Sequence, residues 1–264
     1  MSYFLFNTNN GNMNIKPKPI YPYTLIGGET LFYPLDIDIK NYSTGLGVSD
    51  ATYTNVSSNS NFQITSNSFY GKGALVKTSA NGLAGGTGTD GLLLKSVNIY
   101  NQSYSISFWY YATNGFGFLF SLLGTGAFSG GSYNGSLPSN RGGIIGTTNT
   151  TMYLVGSNST TGADVNSSSY SFFTVNQWNH FVWTVNYISA NNATSTVYIN
   201  NGTGINLSSG CFYSNYLGAS DPVKTYLFFE PYVPDVSGKI TNYRLFVGKV
   251  LTTADISNLY TNKL

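Results

Sequence analysis

Hydrophobic and polar residues alternate along much of this 264-residue chain, and residues 177–202 show the alternation most clearly. One set of alternate residues is apolar or aromatic: Phe181, Trp183, Val185 and Tyr187. The intervening set is more polar: His180, Val182, Thr184 and Asn186. A period of two is typical of a β-strand that covers a core with one face. A polar stretch at 188–193 and a β-branched run at 196–199 follow, so we predict a β-hairpin.

Shorter stretches of the same kind predict a series of further strands, separated by segments rich in Gly, Asn and Ser. They lie at 31–35, 62–66, 74–78, 92–94, 104–111, 116–120, 144–145, 152–155, 225–229 and 243–247. Residues 124–143 and 156–169 lack the pattern and are predicted to be polar loops. Many short strands with turns between them are typical of a sandwich or jelly roll. The sequence therefore predicts an all-β fold, a two-sheet antiparallel β-sandwich.

One short helix is predicted at the C-terminal end of the chain. Thr252 can act as its N-cap, and Asp255 three residues later completes a capping box. Apolar residues then recur at helical spacing at Ile256, Leu259 and Tyr260. The segment is therefore predicted to be an amphipathic helix with one apolar stripe.

The first 28 residues differ in composition from the rest and are predicted to form an extended N-terminal arm, with the sandwich spanning 29–264. Its prolines are Pro17, Pro19 and Pro22, and its aromatic tip consists of Tyr3, Phe4 and Phe6. Prolines lack a backbone donor and hold the preceding residue extended, and aromatic side chains are suited to anchor in a partner's pocket. We interpret the arm as an assembly element that binds other protein chains. The alternative is that it folds back along its own sheet.

Composition narrows the classes of partner. Charged residues make up 8% of the chain against 41% hydrophobic residues, and the net charge is +2. No basic run is present, so nucleic acid is not an expected partner. The single cysteine, Cys211, excludes an intrachain disulfide. No apolar run reaches the length of a membrane span, and the first residues lack the pattern of a signal peptide.

Five blocks of the sequence resemble the laminin G-like jelly roll of the concanavalin A-like lectin and glucanase superfamily. They are FYPLD at 32–36, YGKGALV at 70–76, YSISFWYY at 104–111, QWNHFVWTV with TVYINNG within 177–202, and GKITNYRLFVGKVLTTADISNLY at 238–260. The resemblance covers residues 30–264 and implies two antiparallel sheets packed face to face. It implies no single activity, because this fold carries lectins, adhesion modules, glycosidases and structural proteins.

An enzyme of the glucanase branch is not expected. That branch carries its carboxylates on one strand as E-x-D-x-x-E, whereas this chain has only two glutamates, Glu29 and Glu230, and no such motif. Glycoside hydrolysis needs two carboxylates on either side of the scissile bond. The only histidine, His180, lies in the W-x-H strand pattern of the family, which favours a structural role. We therefore predict a protein without catalytic residues.

The resemblance also raises the question of calcium, which laminin G-like domains often bind through oxygen ligands. The candidate carboxylates are Asp36, Asp38, Asp221 and Asp235. Each is also explained as a turn residue, because aspartate is favoured in turns for its local hydrogen bonds. We expect no other cofactor.

Two classes of function remain open. The first is a non-enzymatic structural or surface component of a larger particle, a virion or capsid-associated protein, because the Asn-rich style resembles proteins of large DNA viruses. The second is a free carbohydrate-binding lectin or adhesion module, favoured by the fold and by loops rich in Tyr, Asn and Gly. The sequence does not indicate which sugar would bind.

Overall fold

The computed structural model describes residues 3–6, 14–17, 23–53, 62–78, 91–114, 117–123, 141–146, 152–157, 164–166, 174–189, 192–207, 224–228 and 237–263. Within these ranges the chain forms two large antiparallel sheets, one two-stranded sheet and one helix. The two-sheet antiparallel β-sandwich that the sequence predicts is therefore confirmed. The described part contains no helix that is both long and apolar enough to cross a membrane.

The larger sheet has eight strands and contains the predicted central hairpin. Its strands are β3 (Leu31–Tyr33), β5 (Phe62–Phe69), β6 (Lys72–Lys77), β8 (Tyr104–Asn114), β13 (Trp178–Ser189), β14 (Asn192–Ile199), β15 (Ile205–Leu207) and β17 (Ser237–Val247). They are ordered β15-β14-β13-β8-β17-β6-β5, and β3 also pairs with β17. The long strands β8, β13 and β17 lie in the middle of the sheet, where both backbone edges find partners.

The second sheet has seven strands: β4 (Thr52–Tyr53), β7 (Leu92–Leu93), β9 (Gly117–Leu123), β10 (Arg141–Gly146), β11 (Met152–Ser157), β12 (Asp164–Asn166) and β16 (Lys224–Leu227). They are ordered β12-β11-β10-β9-β16-β7-β4. In the two large sheets, three strands were not predicted: β4, β12 and β15. Each has only two or three residues, too few to show an alternation, and each lies at the edge of its sheet.

The core lies between the two sheets. Alternate residues of the middle strands point into it, including Ile106, Phe108, Phe181, Trp183 and Tyr243, all at most 1% exposed. The opposite sheet contributes fully buried residues such as Leu92, Leu119 and Leu227. Phe108 stacks on Phe181 with ring centroids 4.9 Å apart. The period-two pattern of the sequence therefore assigns the faces of these strands correctly.

The helix α1 (Thr253–Asn262) packs on the outer face of the eight-stranded sheet. Thr252 accepts a hydrogen bond from the Asp255 backbone N–H at 3.1 Å, and the Asp255 carboxylate accepts from the Thr252 N–H at 3.0 Å, so the predicted capping box is present. Burial alone would raise the pKa of Asp255, but these bonds and Lys249 hold it below its ordinary value. Ile256 and Leu259 join Val182 in a second apolar cluster beneath the helix.

The N-terminal residues differ from the prediction of one extended arm. Strand β1 (Tyr3–Phe6) pairs antiparallel with β2 (Asn14–Pro17), with Tyr3 opposite Pro17, and the two form a sheet of their own. Proline is tolerated there because both strands of a two-stranded sheet are edges and their outer N–H groups need no partner. Pro19 and Pro22 lie outside the described residues, and binding of the arm to another chain stays a prediction.

Residues 23–28, assigned by sequence to the arm, contact the sandwich. The Glu29 carboxylate accepts hydrogen bonds from the N–H groups of Ile26 at 2.7 Å and Gly27 at 2.9 Å. It also pairs with Arg244 of β17 at 2.6 Å, and both side chains are 1% exposed. Arg244 donates a second bond to the Thr24 carbonyl at 3.0 Å. Residues 24–27 therefore contact the outer face of the larger sheet through Glu29 and Arg244. The domain boundary at 28/29 stays a prediction.

Candidate functional site

A wide irregularity in the β5–β6 hairpin shapes a cleft on the described surface. Thr65 pairs with Ala74 and Phe69 pairs with Lys72, which leaves three residues, Ser66 to Ser68, opposite Gly73 alone. Bulged residues cannot complete the ladder, so this segment bends away from its partner strand. Asn67 lies within it at a φ of 53°, a conformation that asparagine tolerates better than most residues. The bulge therefore presents the side chains of Ser66 and Asn67 outward.

The tip of the same hairpin is a two-residue turn. Tyr70 and Gly71 have φ values of 43° and 86°, as a type I′ turn requires at both central positions. The YGKG stretch of the sequence is thus a turn followed by the first residues of β6. Gly71 is exposed, and its backbone borders the cleft.

The other wall of the cleft is the segment after β3. It comes so close to Gly73 that a Cβ atom there would lie 2.8 Å from the Asp36 carbonyl carbon and nearer still to its oxygen. Only glycine permits this approach, and the contact brings Asp36 and Ile37 opposite the bulge. Tyr23 also lines this wall, and its hydroxyl donates a hydrogen bond to Asp36 Oδ1 at 2.5 Å.

The resulting cleft has a volume of about 340 Å³. It is lined by Tyr23, Asp36, Ile37, Ser66, Asn67, Gly71, Lys72 and Gly73. Ser66 and Asn67 are exposed, and the described residues provide no hydrogen-bond partner for either side chain. The second carboxylate oxygen of Asp36 likewise accepts from none of them. Donors and acceptors therefore line the cleft with capacity left for a ligand.

Two tyrosines fix the carboxylates beside the cleft. Tyr42 donates to Asp38 Oδ2 at 2.9 Å, and burial followed by this bond raises the pKa of Tyr42 to about 12. Burial and the Asp36 bond raise the pKa of Tyr23 further above its ordinary value. The rings of Tyr23 and Tyr42 meet edge to face, 4.9 Å apart. Both hydroxyls stay protonated at neutral pH and keep Asp36 and Asp38 in fixed positions.

The calcium candidates are only partly brought together. Asp36 and Asp38 both lie near Tyr23, but Asp38 also accepts from the Lys40 N–H at 3.0 Å and pairs with the Lys40 ammonium at 3.8 Å. Asp221 and Asp235 lie outside the described residues. Across the ranges that are described, no three His, Cys, Asp or Glu side chains group together as a metal site would require. Calcium binding therefore stays a prediction.

His180 lies far inside the layer between the larger sheet and the helix. Its Nε2 is 3.0 Å from Ser107 Oγ, and its ring packs against Trp109 at 4.9 Å. Burial, with a smaller contribution from the charge of Arg244, lowers the pKa of His180 to about 3. The ring is 1% exposed and neutral, which fits the structural role that the sequence favours.

Sequence reasoning did not find most of the cleft. Asp36 was a candidate, but only as a calcium ligand, and Ser66, Asn67 and Lys72 were not singled out. The available signal was the pair of turn residues Tyr70-Gly71 after an Asn- and Ser-rich strand end. Nothing in the sequence indicates that residues 36–37 would lie opposite this strand, because the contact depends on Gly73 and on tertiary packing.

Comparison with known proteins supports the fold. No protein-family model matches the chain, and no curated protein matches its sequence. Domain 4 of AbnA, a GH43 extracellular arabinanase from Geobacillus stearothermophilus, solved in complex with arabinotriose, is similar in structure. Its TM-score is 0.52 at 18% identity, and the match covers 88% of this chain and 98% of that domain.

Two further structures are similar over a smaller share of their length. The binding domain of botulinum neurotoxin DC, in complex with rat synaptotagmin II, has a TM-score of 0.52 at 12% identity and covers 90% of this chain and 52% of that one. The Trypanosoma rangeli sialidase, in complex with the inhibitor DANA, has a TM-score of 0.51 at 15% identity, and the match covers 89% of this chain and 33% of the sialidase.

Identities this low show the fold alone, a β-sandwich. The similar structures belong both to binding domains and to enzymes, so the fold does not define an activity. The laminin G-like assignment, the viral source and the virion location stay predictions.

Proposed function

We propose that this protein is a non-catalytic carbohydrate-binding module that holds a neutral oligosaccharide in the cleft between the Ser66–Ser68 bulge and Asp36. The observation that carries the proposal is the lining of the cleft. Sugar hydroxyls are both donors and acceptors, and the cleft offers a carboxylate oxygen, an amide and a hydroxyl that the described residues do not use. Its volume of about 340 Å³ falls in the usual range of ligand sites.

The fixed geometry of the cleft favours binding. Asp36 is held by Tyr23, and the Asn67 backbone is held by the bulge, so few groups lose freedom when a ligand binds. Lys72 adds a donor at the rim. Arabinotriose is the first ligand to test, since the similar domain of AbnA was solved with it. An array of other neutral oligosaccharides follows.

The decisive variant is Asn67→Gly, which removes the amide and keeps a residue suited to positive φ. Its matched control is Asn101→Gly, because Asn101 is also exposed, has a φ of 53° and does not line the cleft. Each lost hydrogen bond is worth about 0.5–1.5 kcal/mol, so we expect affinity to fall roughly threefold to tenfold in Asn67→Gly alone. Titration calorimetry with arabinotriose, or with the best ligand from the array, measures this. Equal affinities in both variants, or binding of no sugar, would refute the proposal.

The non-catalytic part of the proposal has its own test. We expect no release of reducing sugar from laminarin or from the bound ligand, because the chain lacks the family's paired carboxylate motif. Turnover that disappears in Glu230→Gln would show that the protein is a hydrolase.

A further inference from the structure

The outer face of the eight-stranded sheet carries a row of three partly exposed side chains that the cleft does not include. Tyr111 of β8 lies opposite Trp178 of β13 on one side and opposite Lys239 of β17 on the other. The three residues therefore occupy one level across adjacent strands, and we call them the outer-face row. Since neighbouring strands lie about 4.8 Å apart, the row spans roughly 10 Å.

The helix covers this face only up to Trp109 and His180, two residues along the strands from Tyr111 and Trp178. There Trp109 stacks on Tyr260 of the helix at 5.4 Å, and Trp109 is 2% exposed. Trp178, Tyr111 and Lys239 all retain partial exposure. The sheet thus changes from a helix-covered half to an open aromatic half within two residues along the strand.

The indole of Trp178 is held in place on this open half. Its Nε1 donates to the Ser68 carbonyl at 2.8 Å, which satisfies its only donor. Its ring meets Phe69 at 4.9 Å and Tyr111 at 5.6 Å, both edge to face. An aromatic ring fixed in this way offers contact area at little entropic cost.

Lys239 supplies a positive charge at the other end of the row. Its Nζ lies 5.1 Å from the centroid of the Tyr111 ring. The described residues include no carboxylate that pairs with it, in contrast to Lys40, Arg244 and Lys249. An ammonium at one end of the row and a fixed indole at the other are complementary to a ligand with one negative charge and an apolar face.

We propose that the outer-face row binds an acidic oligosaccharide. A sugar carboxylate contacts the Lys239 ammonium, and the C–H face of a neighbouring pyranose packs against Trp178. Tyr111 lies between them and orients the lysine through its ring face. A nucleic acid would need several phosphate contacts, and a single lysine does not provide them. The proposal goes beyond the cleft and does not depend on it, because none of the three residues lines the cleft.

The test uses the full chain, with trigalacturonate and its fully methylated ester as matched probes. We expect wild type to bind the acid about tenfold more tightly than the ester, as a hydrogen bond to a charged group predicts. Lys239→Gln should lose this preference, and Lys239→Arg should keep it. Lys95→Gln is the control, because Lys95 is an exposed lysine outside the row and the change in charge is the same.

Several results would overturn the proposal. One is equal binding of acid and ester by wild type, and another is an unchanged preference in Lys239→Gln. Absence of trigalacturonate binding at millimolar concentration would do so as well. If Lys239→Gln instead altered the sedimentation of the protein with no change in sugar binding, the row would be a contact between copies of this chain. The Asn67→Gly variant should leave trigalacturonate binding unchanged, so failure at the cleft and failure at the row are distinguishable.

Discussion

Replacement of Arg244 by methionine is expected to destabilise the protein far more than loss of an ordinary surface charge. Arg244 pairs with Glu29 at 2.6 Å, donates to Thr24 and lies with its guanidinium 3.8 Å from the ring centroid of Phe32. Burial lowers the pKa of Arg244 to about 10 and Glu29 opposes this shift, so the guanidinium stays charged at neutral pH. Breaking a buried pair by removing one partner costs about 3–5 kcal/mol.

The cost of Arg244→Met depends on the hydrogen bonds that Glu29 keeps in the variant. In Arg244→Met the Glu29 carboxylate keeps two backbone N–H donors, so we expect the lower end, about 3 kcal/mol. For a chain of this size that is a fall in Tm of roughly 6–12 °C. In Glu29→Gln the new NH₂ group would face another donor, either a backbone N–H or the guanidinium. We expect the free energy of unfolding to fall by about 2 kcal/mol. The double variant should lose at least about 1 kcal/mol less than the sum.

Urea unfolding followed by tryptophan fluorescence measures these free energies, because Trp109 and Trp183 are at most 2% exposed. Lys249→Met is the control, since its pair with Asp255 is partly exposed at 31% and 23% and should contribute less than about 1 kcal/mol. If Arg244→Met lowered the free energy of unfolding no more than Lys249→Met, the buried salt bridge between Arg244 and Glu29 would not stabilise the fold as proposed.

Three further outcomes are expected. The imidazole of His180 takes up a proton below about pH 6.5 in the unfolded chain but only near pH 3 in the folded protein. The free energy of unfolding should therefore fall by up to about 1.4 kcal/mol for each unit by which the pH is lowered through that window. His180→Gln should flatten this slope in urea titrations. Gly73→Ala should cost about 1–3 kcal/mol and weaken ligand binding in the cleft, because the new methyl group overlaps the Asp36 carbonyl; a variant of wild-type stability and affinity would contradict the close approach. Deletion of 1–22 should leave Tm nearly unchanged, whereas deletion of 1–28 should lower it through loss of the contacts of residues 23–28, and equal Tm values would show that these contacts contribute nothing.

The sequence predicted the parts of the fold that depend on local pattern. Period-two alternation assigned the faces of the long strands, and side-chain chemistry at Thr252 and Asp255 located the start of the helix. It missed the short edge strands, which have too few residues for a period. It also did not predict that β1 pairs with β2 near the N-terminus.

The candidate site was harder to predict, since its geometry depends on contacts distant in sequence. The bulge at Ser66–Ser68 becomes visible only from the register with β6, and the position of Asp36 depends on the space above Gly73. The tie between Glu29 and Arg244 joins residues 215 positions apart. Residue types indicated which groups could bind a sugar, but not which of them would meet.

The central claim is that a neutral sugar binds in the cleft, and mapping of backbone amides by NMR tests it most directly. A uniformly ¹⁵N-labelled protein is titrated with arabinotriose, or with the tightest neutral ligand from the array. The proposed function predicts that the shifted amides concentrate at residues 66–73 and 36–38, the two walls of the cleft. Shifts confined to other parts of the sandwich, or none at saturating sugar, would contradict it.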